Sequence, residues 1–473
     1  MRKDLAALIV ALGAAAAPPT LGQPTAQPWD ERALAAPLDH DALAAEIARD
    51  GPSRVLAEGE RLFRARFTTP DGAGRPLATQ AIVPTKRRRP AERAMQRLSG
   101  PDASSCVACH IEPLPGGAGD FAANAFVSEG FSSADFDTLD PQFSNERGTN
   151  HLFGAGLVEL LAREMTAELQ AQRRDAVRRA RETGAPATIR LTAKGVEFGA
   201  LTAGPDGLLD ISALDGVDSD LVIRPFSQKG VIVSLRQFTV NALNAHHGIQ
   251  AEERFGPRWT GEADFDGDGI GAEIGAGDVT ALTLWQASLP PPLRATPEDP
   301  LWRDAAAAGE AAFAAFGCAA CHIPALPLDG LVFHEPAPGA PAGVLRQGEA
   351  ATVALDLGAL DWAARLPRDA QGRALVPLYG DLKRHVIADP VRPVFGDELL
   401  GQRFVARDVF LTAELWGVAD TGPYGHRGDL STLDEAIRAH GGAAAAAAKA
   451  YEAAPEDARQ SVIAFLRTLR IAP

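Results

Sequence analysis

The period of hydrophobic and polar positions changes along this chain. From about Gly156 to Glu182 a run rich in Leu, Ala, Arg and Glu predicts one long helix. The period then shortens. Thr188-Ile189-Arg190-Leu191-Thr192 alternates like a strand, and Gly204-Pro205-Asp206-Gly207 is turn chemistry. Leu221 to Ile223 and Val231 to Val233 predict two further short strands, after which Ser234 to Ala245 returns to helix. Pro290 to Pro300 reads as a linker. Near the end, Val462, Phe465, Leu466 and Leu469 fall at helical spacing within Asp457 to Leu469, and the alanine run 443–448 is helix-prone filler. The expected fold is mainly α, with a small sheet in the middle.

The N-terminus adds a targeting signal to this picture. Arg2 and Lys3 precede an apolar run from Leu5 to Ala17, too short to span a bilayer, and Thr20-Leu21-Gly22 offers a cleavage site. A signal peptide over 1–22 therefore predicts export, a short membrane anchor being the alternative. Past it, no stretch is long and apolar enough to cross a membrane. At 473 residues there is room for two or three domains. The formal charge of -15 argues against nucleic acid as a partner.

The chemistry lies in four cysteines, all in one pattern. Cys106-Val107-Ala108-Cys109-His110 and Cys318-Ala319-Ala320-Cys321-His322 are both Cys-x-x-Cys-His. This is the attachment signature of c-type haem: two thiols add to the vinyl groups, and the adjacent imidazole becomes the proximal iron ligand. A redox dithiol has no need of the histidine, and a four-cysteine zinc site would need the pairs to converge. The frames around the motifs also repeat. Ile111 and Leu114-Pro115 follow the first, Ile323 and Leu326-Pro327 the second. Gly59-Glu60 precedes Phe63 as Gly309-Glu310 precedes Phe313. Two cytochrome c-like haem domains are therefore expected, over 23–195 and 299–473, flanking a mixed α/β middle region over 196–298. Both would be exported to the periplasm, where bacterial c-type attachment takes place.

What closes the far side of each iron decides its use, because two strong ligands favour electron transfer and an open side permits chemistry with peroxide or oxygen. Methionine, a common ligand in carriers, is scarce: only Met1, Met95 and Met165 occur. The C-terminal unit has none, and its histidines are His334, His385, His426 and His440. His385, His426 and, from the middle region, His247 are the leading candidates. His440 ends a short helix, whose dipole would favour the charged imidazole; His151 precedes another helix. Arg147, Arg236 and Arg427 are candidates to pair with haem propionates. Lys86-Arg87-Arg88-Arg89 is either a docking site for an acidic donor protein or a solvated loop. Glu159 is either an acid–base group or a helical-spacing partner of Arg163. Asp264, Asp266 and Asp268 alternate ahead of Gly269 like the opening of a calcium loop, although the twelfth position is Gly275; Glu273 and Asp278 lie nearby. A solvated acidic turn is the other reading.

Several blocks carry a resemblance. They include Phe153-Gly154-Ala155-Gly156-Leu157-Val158-Glu159, Ser234-Leu235-Arg236-Gln237-Phe238 and His246-His247-Gly248. They include Asp266-Gly267-Asp268-Gly269 followed by Gly277-Asp278-Val279-Thr280-Ala281-Leu282. Tyr379-Gly380-Asp381-Leu382 with His385, Leu415-Trp416-Gly417, Pro423-Tyr424-Gly425-His426, and Thr432 to Ile437 with His440 complete them. From about Gly59 onward the chain resembles the di-haem oxidoreductases of peroxidase type, earlier described as thiol oxidoreductases. That family is distantly related to bacterial di-haem cytochrome c peroxidases and to MauG-like proteins. Two departures stand out. Arg427 replaces the family's usual Asp, and His385-Val386-Ile387 replaces His-Asp-Met-Gly, which removes a methionine. The resemblance implies an oxidoreductase passing electrons between two covalent haems, partnered by a redox protein or by a small oxidant or reductant. A non-catalytic electron-transfer cytochrome and a haem-dependent oxygenase of an organic substrate are the alternatives.

Overall fold

The computed structural model describes residues 29–74, 77–78, 87–88, 104–127, 144–335, 353–396 and 405–471. The signal-peptide segment, Met95, and Lys86 and Arg89 of the basic run lie outside the described residues. The helices are α1 (His40–Asp50), α2 (Ser53–Arg64), α3 (Ala155–Thr183), α4 (Leu235–Ala242), α5 (Glu252–Phe255), α6 (Pro257–Thr260), α7 (Ala276–Ser288), α8 (Pro300–Ala315), α9 (Leu433–Arg438), α10 (Ala445–Ala453) and α11 (Glu456–Leu466).

Between them run short antiparallel strands. The longest are β3 (Gly119–Val127) with β4 (Ser144–Thr149), and the three-stranded sheet of β5 (Ala187–Ala193), β6 (Val196–Ala203) and β7 (Leu209–Asp210). The rest are pairs of two or three residues: β1 (Leu77–Ala78) with β2 (Arg87–Arg88), β8 (Leu293–Arg294) with β15 (Leu469–Arg470), β9 (Leu326–Leu328) with β12 (Ala374–Val376), β10 (Val332–His334) with β11 (Ala354–Asp356), and β13 (Arg384–Val386) with β14 (Val409–Leu411).

Helix covers 42% and strand 15% of the described residues, so the fold is mixed α/β and the expectation of a mainly α chain is corrected. The reason is physical. A strand of two or three residues is too short to show a period in sequence and exists only because a distant segment pairs with it. The Pro290–Pro300 linker is an example, since Leu293 and Arg294 pair with Arg470 and Leu469. The converse error falls at Leu221–Ile223 and Val231–Val233, which form no strand. That stretch is irregular, apart from one bridge between Phe226 and Ile232. Its apolar residues are buried in loops (Leu221 at φ 57°) rather than on a pleated face.

Two helix crossings place the site. α2 leads toward the first motif and packs on α7; α8 leads into the second and packs on α11. Each crossing is made close by a glycine. A Cβ on Gly59 would overlap the Ala281 carbonyl, and one on Gly309 would overlap the Ser461 carbonyl. The helix that backs the first motif thus comes from the segment between the two motif regions. Behind each crossing sits its own small core. Leu62, Phe63, Val240, Leu282 and Trp285 form one, against which Cys106 and Val107 pack. Phe313, Tyr451, Val462, Phe465 and Leu466 form the other, against which Cys318 and Ala319 pack. A larger core unites α3 with β5, β6, β9 and β12. The start of α3 joins the two halves. Gly156 lies against the Ala287 carbonyl of α7, and Gly154, at φ 80°, against the indole of Trp416.

Candidate functional site

The two motifs fold alike. Cys106–Ala108 and Cys318–Ala320 are single tight turns. The His110 N–H donates to the Cys106 carbonyl at 3.0 Å, and that of His322 to the Cys318 carbonyl at 3.0 Å. Each imidazole is partly buried and donates from Nδ1 to a backbone carbonyl, His110 to Gly117 at 3.2 Å and His322 to Tyr379 at 3.1 Å. With Nδ1 carrying the proton, Nε2 keeps a lone pair suited to a metal. Each ring also has a phenylalanine from the preceding helix, Phe63 at 6.0 Å and Phe313 at 6.2 Å, both inclined at 51°. The repeated Gly-Glu-x-x-Phe frame thus has a cause: the glycine permits the helix crossing and the phenylalanine backs the imidazole. Burial lowers the pKa of His110, and burial followed by the nearby His440 lowers that of His322 to about 4, so both rings are neutral at neutral pH.

All six motif residues line one cavity of about 580 Å³. Its wall is largely apolar, with Phe238, Leu243, Leu282, Phe395, Trp416 and Leu466 among its residues. Burial pushes the Cys106 thiol up to about 12 and the Cys318 thiol up to about 11. Burial thus works against the thiolate at Cys106 and Cys318, the reverse of the lowered thiol of a redox dithiol. Among the described residues the cysteine pairs form no shared metal cluster, which excludes a four-cysteine zinc site there.

The second motif has an imidazole opposite its own. His440 and His322 lie with ring centroids 6.4 Å apart and planes at 68°. Two imidazoles bound through one nitrogen each to a single metal, at about 2 Å per bond, place their centroids about 6 Å apart. His440 Nδ1 is held by the Ala436 carbonyl at 2.8 Å, leaving its Nε2 as the free lone pair. The expectation that a helix dipole keeps His440 charged is corrected: burial lowers its pKa. α9 ends at Arg438, and the ring is packed edge-on against Phe395, at 5.1 Å, rather than left in solvent. At the first motif, by contrast, the ring contact of His110 is with Phe63, and the imidazole of His151 stands close enough to act on it electrostatically without a ring contact like that of His322 and His440 among the described residues.

The other candidates lie beside these rings. His247, 3% exposed, is on the π-helical turn Leu243–His247, with Nε2 at 3.7 Å from Cys106 Sγ and its ring 5.3 Å from Phe67. His385 bonds Asp381 at 2.8 Å, and both are clustered with the Cys321 sulfur. Burial opposes the charge on His385, but the Asp381 carboxylate and Cys321 outweigh it and raise the pKa to about 9. His426 is stacked on Phe410 at 3.6 Å and 17°, with its Nδ1 buried and unpartnered; burial, then Arg147 and Lys229, hold its pKa well below the ordinary value. His334 is exposed on β10. Met165 is buried in α3 and does not line the cavity.

Arg147 lines the cavity, whereas Arg236 is buried between Glu253 and Glu335 and so is already paired. Glu159, fully buried, pairs with Arg163 and accepts from the Leu235 N–H at 2.8 Å, which is the helical-spacing reading. One cavity residue, Glu414, escaped sequence reasoning, and another, His151, stood out in the sequence only as a histidine preceding a helix. Glu414 has its pKa pushed up to about 7 by burial. His151 donates from Nε2 to the Trp416 carbonyl at 3.0 Å and keeps a buried Nδ1 without a partner. Neither sits in a motif, so only the fold brings them in. Away from the cavity, Asp264, Asp266 and Asp268 come together.

No protein-family model and no curated protein matches the chain. Among solved structures the chain is similar to a MauG-like protein associated with microbial copper homeostasis. The two are 13% identical, with 66% of this chain and 88% of the other covered and a TM-score of 0.28. At that score the similarity carries no argument.

Proposed function

We propose that the chain is a periplasmic di-haem c-type cytochrome oxidoreductase with peroxidase-like activity. The observation that carries this reading is the single cavity lined by both Cys-x-x-Cys-His turns, each with a neutral, Nδ1-anchored imidazole. Haem c, when bound, supplies an iron whose use depends on its axial ligands. Cys106 and Cys109, and Cys318 and Cys321, would hold it by thioether bonds, with His110 and His322 as proximal ligands. The residues fit the group: partly buried thiols, an apolar wall and, at the second motif, a second imidazole 6.4 Å from His322.

The two centres have different tasks. His322 and His440, 6.4 Å apart, would both be available to hold a haem at the second motif, an arrangement that would suit electron transfer. His110 would hold a haem at the first motif, where the chemistry supplied would be reaction with a small oxidant such as hydrogen peroxide. The largely apolar wall limits water there. Trp416, buried, lines the same cavity and ties the halves together through Gly154. Export is supported by the signal-like N-terminus and by the compartment in which c-type attachment occurs.

The test is the purified full-length chain. Two haems should survive acid–acetone extraction, and the reduced protein should turn over peroxide with an electron donor. Loss of both haems on extraction would refute the covalent assignment. Two retained haems inert to peroxide would make the chain an electron carrier, and oxygen binding to the reduced form with oxidation of an organic substrate would make it an oxygenase.

A further inference from the structure

Outside the cavity, Asp264, Asp266 and Asp268 each place a carboxylate oxygen within 4.8 Å of the others. The backbone is wound to do this, with Gly267 at φ 75° and Gly269 at φ 95°. Asp264 is accounted for by the loop itself, accepting from the N–H groups of Gly267 at 2.8 Å, Asp268 at 3.2 Å and Gly269 at 3.0 Å. Asp266 is not. It is 0% exposed, and neither of its carboxylate oxygens has a hydrogen-bond partner. A carboxylate removed from water without a donor is strongly unfavourable unless a positive charge meets it. The leading charges that act on Asp266 are those of Asp268 and Asp264. Glu273, itself buried, stands close enough to feel all three aspartates, and its Oε2 accepts from the Gln250 N–H at 2.6 Å.

We propose that Asp264, Asp266, Asp268 and Glu273 hold a hard divalent cation of the calcium class. The donors are all oxygen, which selects against zinc and copper. The three aspartates occupy the first, third and fifth positions of a calcium loop, with Gly269 at the sixth supplying the sharp turn. The closing acid would be Glu273, at the tenth position instead of the twelfth, which is buried and near enough for all three aspartates to act on it. Four carboxylates on an irregular loop suit calcium better than magnesium, which demands a near-ideal octahedron.

The site is wired to the cavity. The segment after Glu273 pairs with the segment after His247, through the Ala251–Ile274 bridge and the Glu252 N–H on the Ile274 carbonyl at 3.2 Å. The Gly74 N–H donates to the His247 carbonyl at 3.2 Å. The cation therefore fixes the turn that sets His247 against Cys106.

The experiment uses the full-length chain stripped with a chelator and titrated with calcium or magnesium chloride. Calorimetry, thermal unfolding and amide exchange over 247–252 are the readouts, all independent of whether peroxide is turned over. The parent should bind one calcium, at least about tenfold tighter than magnesium, with a raised Tm and slowed exchange at 247–252. Asp266→Asn should lose the response, while Asp206→Asn, in a separate turn, should keep it. If Asp266→Asn does not fold, Asp268→Asn should bind calcium at least about tenfold more weakly. No calcium binding by the parent, or an undiminished response in the Asp266 and Asp268 variants, would overturn the site. Exchange at 247–252 indifferent to calcium would overturn its coupling to the cavity.

Discussion

Gly309 of α8 lies so close to Ser461 of α11 that a Cβ at the glycine would overlap the Ser461 carbonyl oxygen. The obstacle is backbone, so no side-chain rotation relieves it. Gly309→Ala should therefore force the helices apart and lower stability by about 1–3 kcal/mol, the usual cost of overpacking. Denaturant unfolding should show this, with Gly330→Ala, where the added Cβ meets nothing, near neutral. Equal loss in both variants would remove the close crossing as the cause.

Lys229 is a second point of strength. It is 0% exposed, its Nζ donates to the carbonyls of Ala406 at 2.7 Å, Arg407 at 2.9 Å and Val409 at 3.0 Å, and it stands 3.7 Å from the Phe410 ring centroid. Lys229→Met keeps the stem and removes the donor, leaving three carbonyls without that partner. Urea denaturation should report a loss of about 2–5 kcal/mol. A change below about 0.5 kcal/mol, the size of an ordinary surface substitution, would contradict this.

The Asp381–His385 pair predicts a pH dependence with a definite sign. Asp381 and Cys321 overcome burial and raise the His385 pKa from 6.5 to about 9. The folded state holds the proton more tightly than the unfolded one, so the stabilisation is complete below 6.5 and fades as pH rises through about 9. With Cys321 in a thioether its share is lost, while Asp381's remains. Asp381→Asn should thus be less stable than the parent at about pH 6, and the gap should close by about pH 10. Thermal unfolding across that range checks it; a gap that is constant with pH would assign Asp381 another role.

These three sites differ in how far the sequence discloses them. Both Cys-x-x-Cys-His turns, the Gly-Glu-x-x-Phe frames and helix α3 are written in local patterns, because each depends on neighbours a few residues away. Lys229 gives no local sign, since its three carbonyls lie about 180 residues downstream. His440 was visible as a histidine near a helix end, but its opposition to His322 depends on how α9 and the following turn pack on Phe395. The leading candidates, His247, His385 and His426, come to the cavity yet sit beside a cysteine or a phenylalanine, not opposite a motif imidazole. The short strand pairs were illegible because their stability is contributed by segments far away in sequence.

The two motif imidazoles have unequal surroundings: His322 has the ring contact with His440, and His110 has its ring contact with Phe63. The most direct measurement is the EPR spectrum of the ferric full-length chain beside that of His440→Ala. The parent should show one low-spin and one high-spin haem in equal amounts, and the variant should convert the low-spin signal to high-spin with the covalent haem content unchanged. A parent spectrum without haem, or a low-spin signal that survives in His440→Ala, would contradict it.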